Sequence, residues 1–231
     1  MGIEENVKNI KAQIARAALA AGRNPADIRL CAATKMNDAA AVRRAIAAGV
    51  DCCGENRVQE LTQKQAENAY AGAPVHFIGH LQTNKVKFVV GKVDLIQSVD
   101  SVRLLEAIQK EACKQGCVQD ILLEINIASQ ESKSGFSVQE LYRVLEKMGD
   151  YPNVQVRGLM AIPPKAENST DNHKFFQEMC NLSVDITTKK YDNIRVDILS
   201  MGMSDDYSDA IACGSTMVRV GTAIFGARDY T

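Results

Sequence analysis

The feature that most constrains this chain is a regular beat of short apolar runs, each followed by a stretch with helical spacing. Residues 30–33, 50–53, 75–78, 94–99, 121–127, 154–160, 194–199 and 217–220 each have the length and apolar character of a buried strand. Ile3, Val7, Ile10 and Ile14 repeat at helical spacing before the first run, and Gly22-Arg23-Asn24-Pro25 ends that helix. Asp38 caps a helix to about Ala48, and a polar helix runs to about Tyr70. Further helices are expected over 82–90, after a cap at Ser101 or Asp100, and over 138–148, 170–190 and 205–213. Alternating strand and helix implies a parallel sheet. Eight such units in 231 residues imply a closed (β/α)8 TIM barrel with an extra N-terminal helix, a single domain over 1–231. The competing architecture is an open doubly wound sheet. No Gly-rich dinucleotide turn follows the first strand, which weighs against it.

Composition removes several classes of function. A net charge of -1 with interspersed signs leaves no electrostatic footprint for nucleic acid or an anionic membrane. No apolar run approaches a membrane span, and the N-terminus lacks a signal-peptide pattern. Seven scattered cysteines suit a reduced, cytoplasmic chain better than a disulfide framework. Cys113 and Cys117 have helical spacing but no second pair, and His76, His80 and His173 do not complete a ligand set with them, so no metal site is expected. The polar helix faces at Arg43-Arg44 and across 60–67 read as solvated.

A barrel of this kind places its chemistry at the C-terminal strand ends. Those ends collect Lys35, Asn56, His80, Ser98, Asn126, Met160, the segment 200–204 and the segment 219–222. Lys35 closes the run Leu30-Cys31-Ala32-Ala33-Thr34, and a partly desolvated lysine is an amine nucleophile. Ser200-Met201-Gly202-Met203-Ser204-Asp205 follows the seventh strand and Gly221-Thr222 the eighth, the two loops that form the phosphate cup of this fold. Arg219 interrupts an apolar strand and needs an acceptor or a ligand. A lysine, a phosphate cup and an arginine between them match pyridoxal 5'-phosphate (PLP), bound as an imine on Lys35.

The motifs Thr34-Lys35, Gly54-Glu55-Asn56, His76-Phe77-Ile78-Gly79, Leu81-Gln82-Thr83-Asn84-Lys85, Lys133-Ser134-Gly135 and Gly158-Leu159-Met160-Ala161-Ile162-Pro163 occur in that order. Ser200-Met201-Gly202-Met203-Ser204-Asp205-Asp206 and the block from Gly214 to Gly226 follow. In these motifs the chain closely resembles the YggS/PROSC family of PLP homeostasis proteins, which look like the barrel domain of alanine racemase standing alone. The resemblance implies an imine on Lys35, Arg219 at the pyridine nitrogen, and a phosphate held by Ser200, Ser204, Gly221 and Thr222. It places Asn56 and Met201 beside the ring. The chain departs from the family at Asn37-Asp38, where a proline is usual, and at Cys53, where an aromatic residue is usual.

The residues themselves support only the binding chemistry, and the second base of a racemase is missing from them. Arginine only donates hydrogen bonds, so it favours an unprotonated pyridine and a weak electron sink. Racemisation also needs two bases on opposite faces of the substrate. Lys35 supplies one; Tyr207 is the nearest aromatic candidate for the other and reads better as a packed side chain. The resemblance implies a PLP-binding protein of intracellular vitamin B6 homeostasis with apo-PLP enzymes as partners, and a single barrel with no obvious interface extension suggests a monomer. The alternatives are a weak amino acid racemase, or a Schiff-base aldolase using Lys133 or Lys165. Of these two lysines, Lys165 reads as a solvated loop charge and Lys133 as one that closes over the cofactor.

Overall fold

The computed structural model describes residues 2–130, 133–164, 169–189 and 191–226, with the backbone alone for 169–171. Eight parallel strands close into a barrel in sequence order: β1 (Arg29–Ala33), β2 (Cys52–Glu55), β3 (Val75–Phe77), β4 (Leu95–Val99), β5 (Gln119–Glu124), β6 (Val154–Met160), β7 (Ile194–Ser200) and β8 (Met217–Val220). Closure is made by β1 against β8, with Cys31 opposite Arg219.

Alternation along the strands sorts side chains into two cores. Cys31, Cys52, Ile78, Leu95, Leu122, Met160, Ile198 and Met217 pack inside the barrel. Leu30, Ala32, Cys53, Phe77, Ile96, Ile121, Leu123, Leu159, Leu199 and Val218 face outward, under the helices. The helices are α1 (Ile3–Ala20), α2 (Ala39–Ala47), α3 (Val58–Ala66), α4 (Val102–Gln115), α5 (Val138–Leu145), α6 (Ser169–Thr188), α7 (Tyr207–Ala212) and α8 (Thr222–Phe225). The extra helix α1 buries Val7, Ile10, Ile14 and Ala18 and packs on α2, α7 and α8. Local chemistry sets the helix ends: Asp38 and Ser101 accept from Ala41 N and Leu104 N, and Ser137 with Glu140 forms a reciprocal capping box.

Two boundaries differ from expectation. The second strand starts at Cys52 rather than Val50, because the Asp51 carboxylate takes the Leu30 N–H at 2.7 Å from outside the ladder. The helix expected over 82–90 is a short 3₁₀ segment, Thr83–Phe88. Its tail carries Val86, Val89 and Val90, all buried, and β-branched residues crowd an α-helical turn. No helix among the described residues is long and apolar enough to cross a membrane.

Candidate functional site

Thr34 and Lys35 follow the first strand, and the backbone on both sides of the lysine is clamped from behind. Thr34 N donates to Gly54 O at 2.8 Å, and its hydroxyl reaches Glu55 Oε2 at 3.1 Å. Lys64 of α3 donates to Thr34 O at 2.8 Å, to Glu55 Oε2 at 2.7 Å and to Glu60 Oε2 at 3.1 Å. The other side is held by Met36 N, which donates to the same Glu60 oxygen at 2.6 Å. Tyr70 OH completes the set on Glu55 at 3.2 Å. The 60–67 face is therefore not simply solvated: Lys64 is 5% exposed and Glu55 is wholly buried. An i,i+4 carboxylate and a strand-end carboxylate draw the lysine under the sheet. The Tyr70 phenol is pushed far up by burial and by Glu55, so it is a donor at neutral pH.

Lys35 itself is half-buried and follows the inward residue Ala33. The departures from the family pattern do not change this end. Asn37 Nδ2 donates back to Lys35 O at 3.0 Å, and Cys53 lies in the outer core.

Arg219 points into the barrel from β8 and is 5% exposed. It donates to Ser200 O at 2.8 Å, Ser200 Oγ at 2.6 Å and Ala161 O at 2.9 Å, all neutral acceptors. Burial pulls its pKa down, while Cys31 and then Glu124 pull it back up. Ser200 Oγ also donates to Gln97 Oε1 at 2.7 Å. The hydroxyl expected at the phosphate is thus engaged inside the barrel, holding Arg219. Met201, expected beside the ring, faces the other way: alternation after Ser200 buries its side chain in the outer core.

Ser204, Gly221 and Thr222 remain on the loops after β7 and β8. Gly202 has φ +93°, and a Cβ there would meet Ala210 Cβ at 2.6 Å, so the loop folds tightly onto α7. Gly221 lies against Ala33, its own Cβ position being 3.3 Å from that side chain, which sets this loop beside the strand that carries Lys35. Asn56 leaves the end of β2 with its backbone pressed on Gly79, where a Cβ would come within 2.2 Å of Asn56 O. Its Oδ1 is buried and has no hydrogen-bond partner among the described residues.

Other strand-end residues resolve into roles that spacing alone did not reveal. Asn126 staples its own loop, donating to Gln130 O at 2.7 Å and Lys133 O at 3.2 Å. Glu124, one layer below and missed in the sequence, is a mouth carboxyl whose pKa is raised by burial and by Asp100. Lys133 reaches Ile162 O at 3.2 Å, its pKa lowered by burial, and shares a cavity with Glu124, Asn126 and Ile162. Tyr207 is buried with its hydroxyl donating to Gln13 of α1. Lys165 lies outside the described residues.

The register also assembles a group that no local spacing announces. Cys31, Cys52 and His76, from three neighbouring strands, place their ligand atoms within 4.8 Å of one another, all buried. The Cys31 thiol is pulled down to about 6 by a hydrogen bond from Cys52, against burial, with His76 helping.

Residues 4–229 match the family described as alanine racemase, N-terminal domain. A pyridoxal phosphate homeostasis protein of Pseudomonas aeruginosa is 40% identical over 228 residues, covering 99% of this chain and 96% of the relative. This chain belongs to that family. A second member, from Aquifex aeolicus, is also 40% identical, covering 98% of each chain. Among solved structures, the family member PipY of Synechococcus elongatus PCC7942, with PLP bound, superposes with a TM-score of 0.84. It is 33% identical, covering 97% of this chain and 100% of its own.

Proposed function

We propose that this chain binds PLP at the barrel mouth as a reversible imine with Lys35, and that it serves intracellular vitamin B6 homeostasis as a carrier rather than an enzyme. The observation that carries the reading is the adjacency of an amine and a glycine-rich cup. Lys35 follows β1 in the turn after Thr34, and Gly221 packs on Ala33, the last residue of that strand. When bound, PLP would supply an aldehyde able to condense with the Lys35 amine, with release of water. The residues present fit it. Asn56 Oδ1 is a buried acceptor with no partner among the described residues, and Arg219 is a buried cation with only neutral acceptors.

Lys35 is the amine, its backbone fixed by Lys64 and Glu60. Arg219 presents a donor that does not give up its proton, so it would favour an unprotonated ring nitrogen and weak carbanion chemistry. Ser204, Gly221 and Thr222 hold the phosphate, and Ser200 contributes by orienting Arg219. Tyr207 is committed to Gln13 and does not serve as a second base. The relatives' names, homeostasis protein, and the PLP held by PipY support the same reading. The carrier acts as a monomer in the cytoplasm and hands the aldehyde to apo-enzymes.

The test is an absorption titration with PLP of the wild type beside Lys35→Ala. A near-visible band present in the wild type and missing from the variant is expected. Two identical spectra would remove Lys35 from the site. Turnover of any free amino acid that disappears with Lys35→Ala would overturn the carrier reading.

A further inference from the structure

The barrel interior holds a second chemical feature, independent of the mouth. Cys31 and Cys52 are register partners on β1 and β2, and His76 stands opposite Gly54 on the next strand. All three side chains turn inward by strand alternation, and they are 0%, 1% and 5% exposed. Their three ligand atoms lie within 4.8 Å of one another. We propose that Cys31, Cys52 and His76 form a three-coordinate binding site for a soft monovalent cation of the Cu⁺ class.

Three features select that class. The first is ligand type: two thiols and an imidazole prefer soft or borderline ions over Mg²⁺ or Ca²⁺, which take oxygen ligands. The second is coordination number. Structural Zn²⁺ is almost always four-coordinate. Among the described residues the cluster includes no fourth His, Cys, Asp or Glu. The apolar side chains packed with it inside the barrel include the thioethers of Met160 and Met217, which suit a soft ion and not a harder one. The third is charge. Arg219 is the register neighbour of Cys31 on β8, and its hydrogen bonds go to neutral acceptors. Two thiolates around one Cu⁺ carry a net charge of about -1, which offsets that buried guanidinium, whereas the same ligands around Zn²⁺ leave it unbalanced.

The imidazole is held in place by a side-chain amide. Its Nδ1 meets the Gln97 side-chain amide at 2.9 Å, and that amide also meets Ser200 Oγ at 2.7 Å. Binding is an exchange without electron transfer. Two S–H bonds break and release two protons to solvent, while two Cu–S bonds and one Cu–N bond form. Lys35, Asn56 and the loops after β7 and β8 supply no ligand to it; Arg219 is the one group that borders both this cluster and the mouth, and the ligand set itself does not depend on the cofactor reading.

The experiment is an anaerobic Cu⁺ titration of the full chain against a chromogenic Cu⁺ chelator, wild type beside Cys31→Ala/Cys52→Ala. The expected result is one Cu⁺ that the wild type retains and the double variant holds roughly a hundredfold more weakly or not at all. Equal retention by both proteins would place any copper on Cys113, Cys117 or Cys180 and overturn the proposal. If the variant does not fold, X-ray absorption of the copper-loaded wild type decides alone. Two sulfur neighbours and one imidazole nitrogen support the site; sulfur without imidazole overturns it.

Discussion

Among the described residues two cations, Lys64 and Arg219, are buried, and they are buried in different ways. Lys64 lies outside the sheet with Glu55 and Glu60, each within 3.1 Å, and its remaining proton goes to a backbone carbonyl. Arg219 lies inside the sheet with two carbonyls and one hydroxyl. With Arg57 3.8 Å from Glu60, the first network sets two cations against two carboxylates; its work is to hold the chain on both sides of Lys35. The second leaves a positive charge inside the barrel without a carboxylate bonded to it. A completed network contributes to stability and geometry, and an incomplete one is where a ligand gains the most.

The sharpest way to break this comparison is Lys64→Met. It strands Glu55 in a dry layer, and urea unfolding should show a loss of about 3–5 kcal/mol. Lys64→Met with Glu55→Gln should recover much of that loss. Arg219→Met should do the opposite. Relief of desolvation and the loss of hydrogen bonds act against each other, so the apoprotein is destabilised less than by Lys64→Met. PLP affinity falls by about 1.5–3 kcal/mol, the worth of a hydrogen bond to a charged group. Equilibrium dialysis beside urea unfolding on both variants reads this crossover, and one variant dominating both measurements would erase the distinction. A milder change on the completed side is Tyr70→Phe, which removes one hydrogen bond to the Glu55 carboxylate and should cost about 1.5–3 kcal/mol.

The smallest effect concerns Glu124. Its pKa in the folded chain lies above the ordinary 4.5, chiefly through burial. The folded state therefore binds the extra proton, and this group's contribution is complete below that ordinary value and lost as pH rises through the raised one. The stability of the wild type relative to Glu124→Gln should fall with rising pH across that window. Thermal melts at stepped pH check the sign, and a difference that grows with pH would refute it.

The barrel was legible because periodicity and punctuation agree along the chain: strand-length runs, Asp38 and Ser101 caps, and turns between them. Lys35, Arg219 and the two glycine-bearing loops were legible because the fold fixes which strand ends meet. What escaped depends on side-chain direction. Ser200 and Met201 are neighbours, yet one points into the barrel and the other beneath a helix, so the serine spends its hydroxyl on Gln97 and Arg219. Lys64 sits in a polar run that looks solvated, and only packing of α3 under Thr34 reveals its burial. Cys31, Cys52 and His76 are separated in sequence by 20 residues or more and meet only through strand register. Glu124 went unnoticed because the apolar run continues past it to Ile127, while the strand stops at the glutamate.

The central claim is that one lysine among many carries the cofactor. The direct measurement is borohydride reduction of the PLP-loaded protein followed by peptide mass mapping. The account predicts a reduced pyridoxyl group on the peptide containing Lys35, absent from Lys35→Ala. A label found mainly on Lys133, or spread over surface lysines and unchanged by Lys35→Ala, would contradict it.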